Sequence, residues 1–131
     1  MSTIRKYILI DDDELNNLLC SMAIEEALGE AIDIKLFTVP EKGLEFIQNE
    51  YVNTLEPTIL FLDINMPSMT GWEFMEEYEN LSELVKSQIC VYILSSSVDH
   101  RDIDMAEANK NVKGFLSKPL EQDTILNVAK A

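Results

Sequence analysis

Short apolar runs alternate with stretches of helical periodicity along the whole chain. Tyr7-Ile8-Leu9-Ile10, Thr58 to Leu62 and Ile89 to Leu94 are runs of strand length with no polar alternation, the pattern of strands buried on both faces. Val112 to Ser117 predicts a further strand, and Ile32 to Phe37 alternates apolar and polar as a more exposed strand does. Between these runs, Leu15, Leu18, Leu19, Met22 and Ala23 recur at helical spacing, and Gly29 stops that helix. Thr38-Val39-Pro40-Glu41 has the spacing of a capping box, followed by Leu44, Ile47 and Tyr51. Gly71 precedes a helix carrying Phe74, Met75, Tyr78 and Leu81. Asp99 to Asn109 forms the next, with Ile103 and Ala106 inward, and Glu121 to Ala131 the last, with Ile125 and Val128.

Strand–helix pairs in this order predict an α/β fold, a doubly wound parallel sheet covered on both faces. The crossovers are right-handed, and ligands of such folds bind beyond the C-terminal ends of the strands. The 131 residues fit one domain, 1–131, with no repeat, low-complexity tract or linker.

Composition narrows the partners. Hydrophobic residues make up 47% of the chain, enough for a real core, but 24 acidic residues against 10 basic ones give a formal charge of −14. Such a surface repels phosphate backbones and anionic membranes, so direct nucleic-acid binding and membrane binding are excluded as expectations. No apolar run approaches the roughly 18 residues of a membrane span. The start, MSTIRKYILIDDD, turns acidic too early for a signal peptide. The expected location is cytoplasmic. Cys20 and Cys90 form no CxxC motif and read as buried, reduced thiols.

The polar residues at strand ends carry the chemistry. The first strand runs into Asp11-Asp12, the third into Asp63, the fourth into Ser95 and the fifth into Lys118-Pro119. In a doubly wound sheet these ends can share one crevice. Clustered carboxylates repel, raise one another's pKa and favour a divalent cation. A small all-oxygen site suits Mg²⁺, which binds through one or two carboxylates and a phosphate. Ser95 and Lys118 are donors fit for phosphoryl oxygens, and a carboxylate so placed can act as a nucleophile and become an acyl phosphate.

The stretches ILIDDDE, FLDINMPSMTGWEF, VYILSSS and GFLSKPL, in this order and each at a strand end, resemble the receiver domain of two-component response regulators over essentially the whole length. The resemblance implies the flavodoxin-like strand order 2-1-3-4-5 with five helices. It implies that Asp63 accepts a phosphoryl group from a histidine kinase or phosphotransfer protein in a Mg²⁺-dependent reaction. Asp11 and Asp12 match the acidic pair of the metal site, leaving Asp13 at the helix start, and Asn65 matches the position whose backbone carbonyl binds the cation. Lys118 matches the phosphoryl-binding lysine, Pro119 the family's cis proline, Ser95 the switch hydroxyl and Phe115 the switch aromatic. The face around Phe115 is then the binding surface for a downstream protein target, with a homodimer also allowed. No turnover of an external substrate is implied. The chain carries no output domain, so it reads as a stand-alone receiver, a relay intermediate or a fragment of a larger regulator.

An aspartyl-nucleophile phosphatase of the haloacid dehalogenase type is the enzymatic alternative. Those enzymes show a second aspartate two residues past the nucleophile, where this chain has Asn65. His100-Arg101-Asp102 spells a kinase catalytic loop, but without a Gly-rich loop or a DFG it reads as a solvated helix start.

Overall fold

The most apolar runs take the centre of the sheet. The computed structural model describes residues 3–29 and 31–130. It contains β1 (Lys6–Ile10), α1 (Glu14–Leu28), β2 (Asp33–Phe37), α2 (Pro40–Glu50), β3 (Thr58–Leu62) and α3 (Gly71–Glu79). These are followed by α4 (Glu83–Ser87), β4 (Ile89–Ser95), α5 (His100–Ala108), β5 (Val112–Ser117) and α6 (Gln122–Val128). All strands pair in parallel in the order β2-β1-β3-β4-β5. Every residue of the central strand β3 is buried, whereas the edge strand β2 is exposed or half-buried throughout.

Side chains alternate across each strand, so the sheet feeds two cores. Leu60 and Leu62 of β3 join Ile8, Ile10, Val91 and Ile93 under Phe74, Met75 and Tyr78 of α3. Ile59 and Phe61 join Tyr7 and Leu9 under Cys20 and Ile24 of α1 and Ile125 of α6. Fully burying each of the larger aliphatic chains contributes about 1.5–3 kcal/mol. No helix among the described residues is long and apolar enough to cross a membrane.

The register places the chemistry. Ile10 stands level with Phe37 on one side and with Leu62 on the other. The ladder continues one step further: Asp11 N–H donates to Phe37 O (3.0 Å) and Asp63 N–H to Ile10 O (2.9 Å). Asp11 and Asp63, each the first residue past its strand, therefore start from neighbouring backbone positions.

Several expectations are corrected. The Leu15, Leu18, Leu19 and Met22 stripe of α1 faces solvent, each residue at least 50% exposed, while Asn17, Cys20, Ser21 and Ile24 face inward. Apolar residues surround this helix on more than one side, so spacing alone does not select the buried face. The Thr38 capping box does not form, because α2 begins with Pro40 at its first turn behind Val39, which makes no side-chain cap. The capping box sits instead at Thr70 and Glu73, opening α3. Gly71 is the first residue of α3 rather than the residue before it, and α3 ends at Glu79, leaving Leu81 half-buried in the following turn. An additional short helix, α4, is capped by Ser82 and raises the helix count from five to six among the described residues. Cys20 is buried but Cys90 only half-buried, and both are free thiols. The last helix ends at Val128, and Ala131 lies outside the described residues.

Gly71 connects this packing to the site. A Cβ there would sit 2.6 Å from Asp63 O and 3.0 Å from Ile64 Cα, both backbone atoms that cannot swing aside. Gly71→Ala is expected to destabilise the fold by about 1–3 kcal/mol, as overpacking does, measured by urea denaturation.

Candidate functional site

At the C-terminal edge of the sheet, carboxylate oxygens of Asp11, Asp12 and Asp63 lie within 4.8 Å of one another. Asp11 is 3% exposed and Asp63 8% exposed, while Asp12 is open to solvent. Lys118, arriving from the end of β5, donates from Nζ to Asp11 Oδ2 (2.6 Å) and to Asp63 Oδ1 (3.2 Å). Its backbone N–H donates to Ser95 O (2.8 Å), which fixes where the lysine leaves the sheet. The Lys118–Pro119 peptide is cis.

The charges are unevenly balanced. Burial, and then the negative charge of Asp11, push the Asp63 carboxyl above its ordinary value, with Lys118 opposing them. Burial alone would lower the Lys118 ammonium. Its hydrogen bond to Asp11 and the charges of Asp63 and Asp11 outweigh that and hold it above its ordinary value. The lysine is thus firmly cationic, and Asp63 carries a charge that the fold makes costly. Three carboxylates against one ammonium fit a hard divalent cation with oxygen ligands, so the donor set suits Mg²⁺.

The remaining expected residues are placed as follows. Asp13 is the N-cap of α1, accepting from the N–H groups of Leu15 and Asn16. Asn65 is exposed in the loop after Asp63. Ser95 is buried, but its Oγ donates to Ser97 O (2.9 Å) and accepts from Ser97 N–H (3.3 Å), so the hydroxyl is held by its own turn. Phe115 is half-buried and borders a cavity of about 430 Å³ with Ile103, Ala106 and Val112. Pro119 is exposed.

Sequence reasoning missed two residues. Asn16 Nδ2 donates to Asp11 Oδ2 (2.6 Å), and Asn17 Nδ2 donates to the carbonyls of Asp11 (3.0 Å) and Phe37 (3.1 Å). The available signal was two consecutive amides one turn into a helix that opens on a carboxylate cluster, one of them at an inward position.

A family model described as the response regulator receiver domain matches residues 7–130. The chain belongs to this family. It is a receiver domain of the two-component type, and the phosphatase alternative finds no support. It is similar to the chemotaxis protein CheY of Listeria monocytogenes, with 23% identity over 92% of each chain. It is also similar to the nitrate/nitrite response regulator protein NarL of Escherichia coli, with 25% identity over 91% of this chain and 50% of that one. Among solved structures, a two-component response regulator from Cytophaga hutchinsonii superposes with a TM-score of 0.86 and 32% identity. That match covers 97% of this chain and 95% of the other. The sheet order of the receiver fold is the one observed here.

The raised Asp63 value gives a pH dependence. A carboxyl that is harder to ionise folded than unfolded imposes no penalty below its ordinary value of 3.8. The penalty grows as pH rises and is complete above the raised folded value. Asp63→Asn is therefore expected to raise the melting temperature near neutral pH, with the gain shrinking under acid. Calorimetry between about pH 4 and about pH 8 checks this.

Proposed function

We propose that Asp63 is the phosphoacceptor of this receiver and that Asp11, Asp12 and Lys118 complete its reaction site. The observation that carries the reading is the Lys118 ammonium held between Asp11 and Asp63 at the edge of a three-carboxylate cluster. Mg²⁺ would be held by Asp11, Asp12, Asp63 and the Asn65 carbonyl, and when bound it supplies charge neutralisation for the phosphoryl oxygens.

An Asp63 carboxylate oxygen attacks the phosphorus of the donor. In a phosphohistidine donor the P–N bond breaks, and its electron pair returns to the imidazole nitrogen. With the donor's other ring nitrogen protonated, the imidazole leaves neutral, and the product is an acyl phosphate on Asp63. Lys118 is already within 3.2 Å of Asp63, so its ammonium can follow the developing phosphoryl charge. The Ser95 hydroxyl leaves Ser97 O and donates to a phosphoryl oxygen, and Phe115 moves into the space this opens. The surface of α5, β5 and α6 then offers a different face to a downstream protein target.

The exposed Leu15, Leu18, Leu19 and Met22 stripe begins at the first turn of α1, beside Asp12 and Asp13, and is flanked by Glu14, Glu25 and Glu26. It suits a helical phosphodonor protein, a histidine kinase or phosphotransfer protein, with an apolar ridge and basic margins.

Incubation with acetyl phosphate and Mg²⁺ is expected to add one phosphoryl group by intact mass, with loss of the gain on chelation or in Asp63→Asn. Metal-independent labelling, or labelling retained in Asp63→Asn, would refute the assignment.

A further inference from the structure

The Asp11 carboxylate is the most heavily bonded group in the site. Its Oδ1 accepts from Asp13 N–H (2.9 Å), and its Oδ2 accepts from both Lys118 Nζ (2.6 Å) and Asn16 Nδ2 (2.6 Å). Asp11 is almost fully enclosed, so water is a poor substitute for any of these donors.

The donors to Oδ2 differ in one respect. Lys118 is shared with Asp63 and, on the phosphoacceptor reading, would be drawn toward a phosphoryl group there. Asn16 belongs to α1, where its N–H is anchored on the Asp13 cap (3.2 Å), and nothing about Asp63 calls it elsewhere. Once Lys118 leaves, Asn16 is the remaining side-chain donor to Oδ2, and a carboxylate that is to hold a cation needs such a partner to keep its orientation. A cation at position 16 would compensate Asp11 too, but it would also cancel the negative charge that attracts the metal. A neutral amide satisfies the oxygen and leaves that charge in place.

We propose that Asn16 is a positioning residue that holds Asp11 while Lys118 shifts toward the phosphoryl group. This rests on the phosphoacceptor reading of Asp63. It assigns Asn16 a role in the phosphoryl-bound state and little role in cation binding, because in the resting state Lys118 orients Asp11 as well.

The test compares wild type, Asn16→Leu, which keeps the size and removes the donor, and Asn16→Ala, which avoids placing a larger apolar group beside Asp11. Mg²⁺ affinity is measured by calorimetry without phosphodonor. The affinity for beryllofluoride, a phosphoryl mimic, and the acetyl phosphate rate are measured at saturating Mg²⁺. The expected result in both variants is a loss of about tenfold in beryllofluoride affinity and in rate, the size typical of outer-shell partners, with Mg²⁺ affinity within about twofold of wild type. Unchanged beryllofluoride affinity would overturn the proposal. So would an equal fall in Mg²⁺ and beryllofluoride affinity, which marks a purely structural role. Wild type that binds Mg²⁺ but neither beryllofluoride nor the phosphoryl group would overturn the phosphoacceptor reading itself.

Discussion

The Lys118 ammonium, shared between two enclosed carboxylates, is the interaction on which this end of the molecule depends. Asp11 and Asp63 leave adjacent parallel strands at the same level, so the sheet itself brings their charges together. Without Lys118 neither charge would have a cationic partner in the site, and breaking such a buried arrangement from one side typically costs about 3–5 kcal/mol. With Lys118 present, the carboxylates of Asp11, Asp12 and Asp63 still leave two formal negative charges unbalanced, the charge of one divalent cation. Buried ion pairs add little to stability over well-packed apolar groups. The arrangement is better understood as a site kept short of positive charge.

The same residues are tied to the rest of the fold through backbone. Lys118 N–H bonds to Ser95 O, and the Ser95 hydroxyl is fastened to Ser97 just before α5 begins. On the other side of Asp63, Gly71 N–H donates to Ile64 O (2.8 Å), so α3 starts directly against the acidic loop. The next residue, Trp72, donates from Nε1 to Asp102 Oδ1 of α5 (3.0 Å). The helix next to Phe115 is therefore tied, through Trp72, to the segment that follows Asp63. On the proposed phosphoacceptor reading, a rearrangement at Asp63 that released Ser95 would act on the turn that leads into α5.

How much of this was legible in the sequence depended on how local its cause was. The buried strands were plain, since a central parallel strand needs apolar residues on both sides and leaves no other pattern. The positions of Asp11, Asp63, Ser95 and Lys118 at strand ends followed from those strands. The buried face of α1 was not legible, because Leu15, Leu18, Leu19 and Met22 form as good a stripe as the inward residues. The choice was made by tertiary demands: Asn17 must reach two carbonyls, and small Cys20 and Ser21 sit against the sheet side. The false cap at Thr38 had the right spacing but lost to Pro40, which is suited to a helix's first turn without a side-chain cap. Asn16 was missed because its partner is fixed by where the chain turns after β1, which no periodicity records, and only its place beside a second amide after the carboxylate cluster pointed to it.

The most direct measurement is a crystal structure with Mg²⁺ and beryllofluoride. Beryllium bonded to an Asp63 carboxylate oxygen, Mg²⁺ among Asp11, Asp12 and Asp63, and Lys118 Nζ on a fluoride are expected. Beryllofluoride bound away from Asp63, or Lys118 still bridging Asp11 and Asp63 with the mimic in place, would contradict the account.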